Sequence, residues 1–74
     1  MAISVQCFAT LSAYAPKQGK LDYVPEMSVK DVIDILGIPQ EEVAVVFVNG
    51  VHSALEAKLQ DGDRVGIFPA VGGG

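Results

Sequence analysis

The sequence has one cysteine, one histidine and no tryptophan in 74 residues. A lone cysteine excludes an internal disulfide and any metal site built from several thiolates. Basic residues are also scarce. Five Lys and Arg against nine Asp and Glu leave a net charge of −4. That is too little positive charge to neutralise the phosphates of a nucleic acid or the headgroups of an anionic membrane, and the balance suits a partner with a basic surface. No apolar run approaches the roughly 20 residues of a membrane span. The opening "MAISVQC" has no basic segment leading into a long apolar run, so no signal peptide is expected and the cytoplasm is the expected compartment. There is no Ser-His-Asp grouping, no phosphate-binding loop and no pair of acids in a plausible pocket. The domain is therefore not expected to act as an enzyme by itself, and no bound cofactor or metal is expected.

The hydrophobic fraction of 50% and charged fraction of 19% belong to a globular chain. At this length it forms one small domain with a net stability of only about 3–5 kcal/mol. "ISVQCFA" alternates, with Ile3, Val5 and Cys7 on one face and Ser4, Gln6 and Phe8 on the other, which is the period of a strand. "TLSAYAPKQGK" reads as a loop punctuated by Pro16 and Gly19. "KLDYVP" reads as a short strand ended by Pro25, with Leu21 and Tyr23 on one face. Ser28 and Asp31 form a capping box, Met27 and Val32 a hydrophobic staple, and Val29, Val32, Ile33 and Leu36 one buried helical stripe. Gly37 supplies the left-handed cap and Pro39 prevents resumption. "VAVVFV" is apolar on both faces and β-branched, so it is expected to be covered on both. Asn49-Gly50 marks a turn. "VHSALEAKL" reads as a very short strand and then a helical turn with Leu55 and Leu59 inward. "QDGD" is a turn with Gly62 at its tip. "RVGIFPA" is the last strand, with Val65 and Ile67 on one face and Gly66 and Phe68 on the other. The fold class is α+β, with residues 1–71 as the domain and residues 72–74 as a flexible glycine tail.

The segments "LQDGDRVGIFPAVGGG" and "EMSVKDVIDILGIPQEEVAVVFVNG" resemble the ubiquitin-like sulfur carriers, the family of the molybdopterin synthase small subunit (MoaD) and the thiamine-thiazole carrier (ThiS). The shared features are an Asp-Gly-Asp turn, an apolar strand, a short apolar segment and a Gly-Gly end. "FPAV" before the glycines looks closer to the molybdopterin branch. The resemblance implies a β-grasp fold, a mixed sheet around one helix with the first and last strands adjacent at its centre. It also implies that the carboxylate of Gly74 is adenylated at the expense of ATP by a ubiquitin-activating-type enzyme, and that sulfur from a donor then replaces the adenylate to give a thiocarboxylate. The large subunit of molybdopterin synthase would be the further partner.

The residue types suit that chemistry. An α-carboxylate is ionised at neutral pH, so it can attack the α-phosphorus of ATP. Gly72, Gly73 and Gly74 have no Cβ and can enter a narrow channel. Residues 70–74 can extend about 17 Å. Ordering such a tail costs entropy, which a docking surface on the body must offset. Phe8 and Phe68 fall on the sides of their strands opposite the inferred core, and together with Val71 at the base of the tail they are the expected partner-binding residues. The competing reading makes the two rings a second packing layer or a homodimer face.

Other residues have simpler readings. Cys7 alternates with Ile3 and Val5 and belongs in the core. His52 is a surface residue without a catalytic or ligand role. Asp61 and Asp63 flank a turn glycine and suit Asx-type hydrogen bonding more than metal binding. Glu41 and Glu42 are solvated charges. Lys58 and Arg64 are secondary candidates for partner contact near the tail. Three alternatives to the molybdopterin carrier stay open: a thiamine-pathway carrier, a modifier conjugated through Gly74 to lysines of targets, and a β-grasp binding module with an inert tail.

Overall fold

A computed structural model describes residues 1–70. Among these residues the chain forms β1 (Ala2–Cys7), β2 (Lys20–Asp22), α1 (Val29–Leu36), β3 (Val43–Val48), β4 (Val51–Ser53) and β5 (Arg64–Pro69), with three short 3-10 turns between them. The strands make one sheet in the order β2-β1-β5-β3-β4. β1 and β5 run parallel at its centre, with Val5 opposite Val65 and Cys7 opposite Ile67. The other pairs are antiparallel. This is the β-grasp arrangement that the resemblance implies.

The alternation of β1 and β5 decides which face is covered. Ile3, Val5, Cys7, Val65 and Ile67 are buried on the inner face, together with Val46 of β3 and Val29, Val32 and Ile33 of α1. The segments between elements add Leu11, Met27, Ile38 and Leu59. Cys7 is therefore a core residue, and burial pushes its thiol pKa up, which keeps it protonated and unreactive.

α1 is capped at both ends as its sequence requires. The Ser28 hydroxyl accepts from the Asp31 backbone N–H at 3.2 Å, and the Ser28 N–H donates to the Asp31 carboxylate at 2.9 Å. Gly37 takes a left-handed φ of 76°, which lets the Ile38 N–H reach the Ile33 carbonyl at 3.1 Å. The remaining free amides of the first turn are satisfied from a distant segment. Val29 N–H donates to the Ala57 carbonyl at 3.0 Å and Lys30 N–H to the Leu55 carbonyl at 2.9 Å.

Three expectations about local structure are corrected. Residues 54–59 do not form a helical turn. Their carbonyls serve the N-terminus of α1, and Lys58 bridges to Ser28 as extended backbone; Leu59 is nevertheless buried. The stretch after β1 is not an open loop but 3-10 turns at Ala9–Tyr14 and Lys17–Gly19, with Leu11 fully buried. β3 is covered on one face only. Val46 is buried, whereas Val45 and Phe47 face outward in register with Phe68 and Gly66.

The Asp61 and Asp63 carboxylates serve backbone and turn. Asp61 Oδ1 accepts from the Ala2 N–H at 3.0 Å, and Asp63 accepts from the Gln60 N–H at 2.8 Å and from Asn49 Nδ2 at 2.9 Å. The Asn49-Gly50 turn has positive φ at both residues, 53° and 82°, the geometry that matches the twist of a two-residue hairpin.

The capping box generates a pH prediction. The Ser28 backbone N–H, then the Ser28 hydroxyl, favour the ionised Asp31 carboxylate and lower its pKa from the ordinary 3.8. A depressed folded-state pKa gives stabilisation that is present above the unfolded value and is lost as pH falls through the folded one. Thermal melts from neutral pH down through the acid range should show Asp31→Asn less stable than the parent at neutral pH, with the difference closing in acid. A constant difference would mean that the charge of Asp31 does not contribute.

Candidate functional site

The inner face of the sheet is closed by α1, and the outer face carries the candidate site. Phe8 follows β1 directly, and its backbone N–H donates to the Ile67 carbonyl at 3.0 Å, which continues the β1–β5 ladder. This sets its ring beside that of Phe68. The two are stacked with centroids 4.2 Å apart and planes within 5°. The Phe68 ring meets Phe47 edge to face at 5.6 Å and 86°, and Phe47 meets His52 of β4 edge to face at 5.9 Å and 87°. One row of rings thus crosses four strands. The three phenylalanines are each half-buried, and none belongs to the core cluster under α1.

Gly66 lies at the middle of this face, opposite Gln6 on one side and Phe47 on the other. A Cβ there would meet the Phe8 ring at 3.4 Å and the Phe68 ring at 3.6 Å. Without one, the strand forms the floor of a shallow hollow of about 390 Å³ walled by Phe8, Phe47 and Phe68 and edged by Gln6 and Arg64. A second hollow of about 260 Å³ adjoins it over Ser4, Gly19 and Arg64. Neither has a nucleophile paired with a base, and among the described residues no three His, Cys, Asp or Glu side chains gather as a metal would need. The face is suited to apolar contact, with aromatic anchors around a small depression.

The sequence-predicted residues Phe8 and Phe68 are therefore brought together on the side opposite the core. Phe47 and His52 complete the row and were not anticipated. The signal for Phe47 is the alternation of "VAVVFV", which becomes readable once β3 is placed antiparallel to β5. His52 lies on the surface as expected, at the end of the row. Val71, Gly72, Gly73 and Gly74 lie outside the described residues. The last described backbone bond before them joins the Ala70 N–H to the Glu42 carbonyl at 2.9 Å, so β5 is held to the segment before β3 up to that point. Lys58 is engaged away from this face, donating to the Glu26 carbonyl at 3.1 Å.

Comparison with known families matches residues 5–74 to the ThiS family. The chain belongs to the ThiS family. No curated protein matched it. Among solved structures, it resembles a candidate molybdopterin converting factor subunit 1 from Pyrococcus furiosus, with 26% identity and a TM-score of 0.73 over 96% of this chain and 99% of that one. It has the same fold as Haloferax volcanii small archaeal modifier protein 1, with 23% identity and a TM-score of 0.73 over 95% and 98% of the two chains. It also shares the fold of one chain in a structure of the complex of subunits 1 and 2 of molybdopterin-converting factor from Helicobacter pylori, with 23% identity and a TM-score of 0.57 over the whole of both chains. The ThiS family is one of small carrier proteins that act with partner enzymes, and the likeness to the archaeal modifier is one of fold. Among the described residues no helix is long and apolar enough to cross a membrane.

If the rings of this ThiS-family domain act as one unit, Phe47→Ala and Phe68→Ala should not be additive. A double-mutant cycle in urea should give a coupling of about 0.5–1.5 kcal/mol, the range for edge-to-face pairs. Additive losses would mean that the rings contribute separately.

Proposed function

We propose that this protein is a cytoplasmic sulfur carrier for molybdopterin biosynthesis, with the carboxylate of Gly74 as the reacting group. The carrying observation is the ThiS-family match, which runs from the first strand through residue 74. The resemblance of "FPAV" and the following glycines to the molybdopterin branch, and the Pyrococcus neighbour at 26% identity, favour that pathway over the thiamine one.

The chemistry proceeds in two displacements. A carboxylate oxygen of Gly74 attacks the α-phosphorus of ATP in a partner enzyme of the ubiquitin-activating type, and pyrophosphate leaves. A hydrosulfide-equivalent sulfur then attacks the acyl carbon, and AMP leaves with the bridging oxygen. The product is a thiocarboxylate with one oxygen replaced by sulfur. ATP is a substrate of the partner and not a cofactor of this chain. The body contributes by docking. Phe8, Phe47 and Phe68 seat against the partner and hold the chain end near the partner's site, with Val71 at the base of the tail and Gly72 and Gly73 threading inward. The complex of subunits 1 and 2 from Helicobacter pylori supports a synthase large subunit as the later partner.

A modifier reading has its own support in the fold shared with small archaeal modifier protein 1. Activation would be the same, with a lysine amine in place of sulfide.

Intact mass spectrometry after incubation with ATP and a sulfur source in the cell extract that holds the cognate adenylating enzyme and the target proteins separates these readings. The carrier reading expects replacement of one oxygen by sulfur, abolished when Gly73 and Gly74 are deleted and strongly slowed by Phe68→Asp with the fold retained. High-mass conjugates without the sulfur product would establish the modifier reading instead. An unchanged mass, with a control carrier converted by its own enzyme under the same conditions, would overturn both.

A further inference from the structure

The overall charge balance favours a basic partner, but the outer face has the opposite local sign. Strand register places Lys20 opposite Ser4 and Ser4 opposite Arg64. The three residues form one row across β2, β1 and β5, two residues along from the row of Gln6, Gly66 and Phe47. All three are exposed. The face therefore carries two of the chain's five cationic side chains beside its aromatic hollow, and Arg64 lines both depressions.

Among the described residues these cations form no ion pair. Among the described residues the ion pairs are Lys30–Asp34 at 3.1 Å and Lys58–Glu26 at 3.8 Å. Arg64 is fixed through its backbone, its N–H donating to Asn49 Oδ1 at 2.9 Å and its carbonyl accepting from the Asn49 N–H at 2.7 Å, which leaves the guanidinium for other contacts. The nearest carboxylate by register on the outer face is Asp22, opposite Ala2 in the row beyond Lys20. Asp31 and Asp34 ride on α1, on the other side of the sheet. Asp61 and Asp63 have carboxylates occupied by backbone and Asn49 donors.

We infer that the docking face is a two-part surface whose partner is a protein presenting an apolar projection flanked by carboxylates, placed to meet Lys20 and Arg64 while the projection enters the hollow over Gly66. This rests on the docking role proposed for the aromatic face and adds the partner's charge and the orientation in which it binds. With a net charge of −4, the domain as a whole repels an acidic partner, and the Lys20–Arg64 row is the part that attracts it. The charge pattern thus selects one approach among many, while the rings hold the complex once formed. Rim charges act in this way, through association rate and salt dependence more than through intrinsic affinity. Interactions between exposed charges decay over about 10 Å at 0.1 M salt, so the contribution must fade as salt is raised.

The test uses the full chain and the purified cognate adenylating enzyme as probe, with calorimetric Kd values measured at low and high salt. Lys20→Glu/Arg64→Glu should weaken binding roughly tenfold at low salt and show a flatter salt dependence than the parent, whereas Phe68→Asp should weaken it at every salt concentration. Should the reversed pair fail to melt cooperatively, Lys20→Gln/Arg64→Gln should give a smaller effect in the same direction. Parent binding that is lost in Phe68→Asp but unchanged or tightened in the charge variants would overturn this inference and leave the carrier reading standing. No binding by the parent itself would remove the docking role, and this inference with it.

Discussion

The structure depends on β5 being paired along both edges. It runs parallel to β1 and antiparallel to β3, so its alternation is transmitted to the whole sheet. Val65 and Ile67 enter the core while Gly66 and Phe68 form the floor and one wall of the outer hollow. A slip of one residue would exchange these two sets. Backbone bonds fix the register from both ends. Ser4 N–H donates to the Asp63 carbonyl and Phe8 N–H to the Ile67 carbonyl, and Asn49 exchanges bonds with Arg64 through backbone and side chain. The same turn ties Gly62 N–H to the Ala2 carbonyl. The turn sequence "DGD" is thus a register device for the two central strands.

From that constraint comes the division of the sheet into a packed face and a presented one. α1 covers the inner side, and its first-turn amides are anchored by Leu55 and Ala57, which holds the helix across the strands. The outer side of β1, β5, β3 and β4 has no such cover among the described residues. Three half-buried phenylalanines there would ordinarily be a liability in a small protein. Their mutual packing reduces it, because stacking Phe8 on Phe68 and setting Phe47 edge-on hides part of each ring from water. Rings already packed on one another would lose less side-chain entropy in the proposed docking.

The sequence made most of this legible where a local rule and the global fold agree. The α1 caps could be read from Ser28, Asp31 and Gly37 because each acts within a few residues. The facing of β1 and β5 could be read from alternation, and so Phe8 and Phe68 were located before their contact was known. The misreadings arose where partners are distant in sequence. Residues 54–59 have the apolar spacing of a helical turn, but the carbonyls of Ala57 and Leu55 are required by Val29 and Lys30, far upstream in the chain. β3 is apolar on both faces, so its periodicity could not tell a strand covered twice from one whose outer side is left uncovered. Leu11 was hidden in a polar loop, since a single buried side chain has no period. The row of Lys20, Ser4 and Arg64 is invisible in the sequence, because it exists only through the register of three strands.

The proposed chemistry asks two things of one small surface. The chain end must reach a reacting centre inside a partner, and the body must stay outside. Docking makes insertion of the end intramolecular, with an effective concentration set by the length of chain between anchor and reacting group. Phe68 is an anchor on the strand that leads to that end, and the ladder continues past it through Pro69, opposite Val43, to the Ala70–Glu42 bond. The four residues beyond Ala70 can span about 14 Å at full extension. A longer span would lower the effective concentration of the end at the reacting centre. Strand, rings and charged row therefore solve one geometric problem. In the proposed docking the rings would hold the body, Lys20 and Arg64 would set its orientation, and β5 would carry that orientation as far as Ala70.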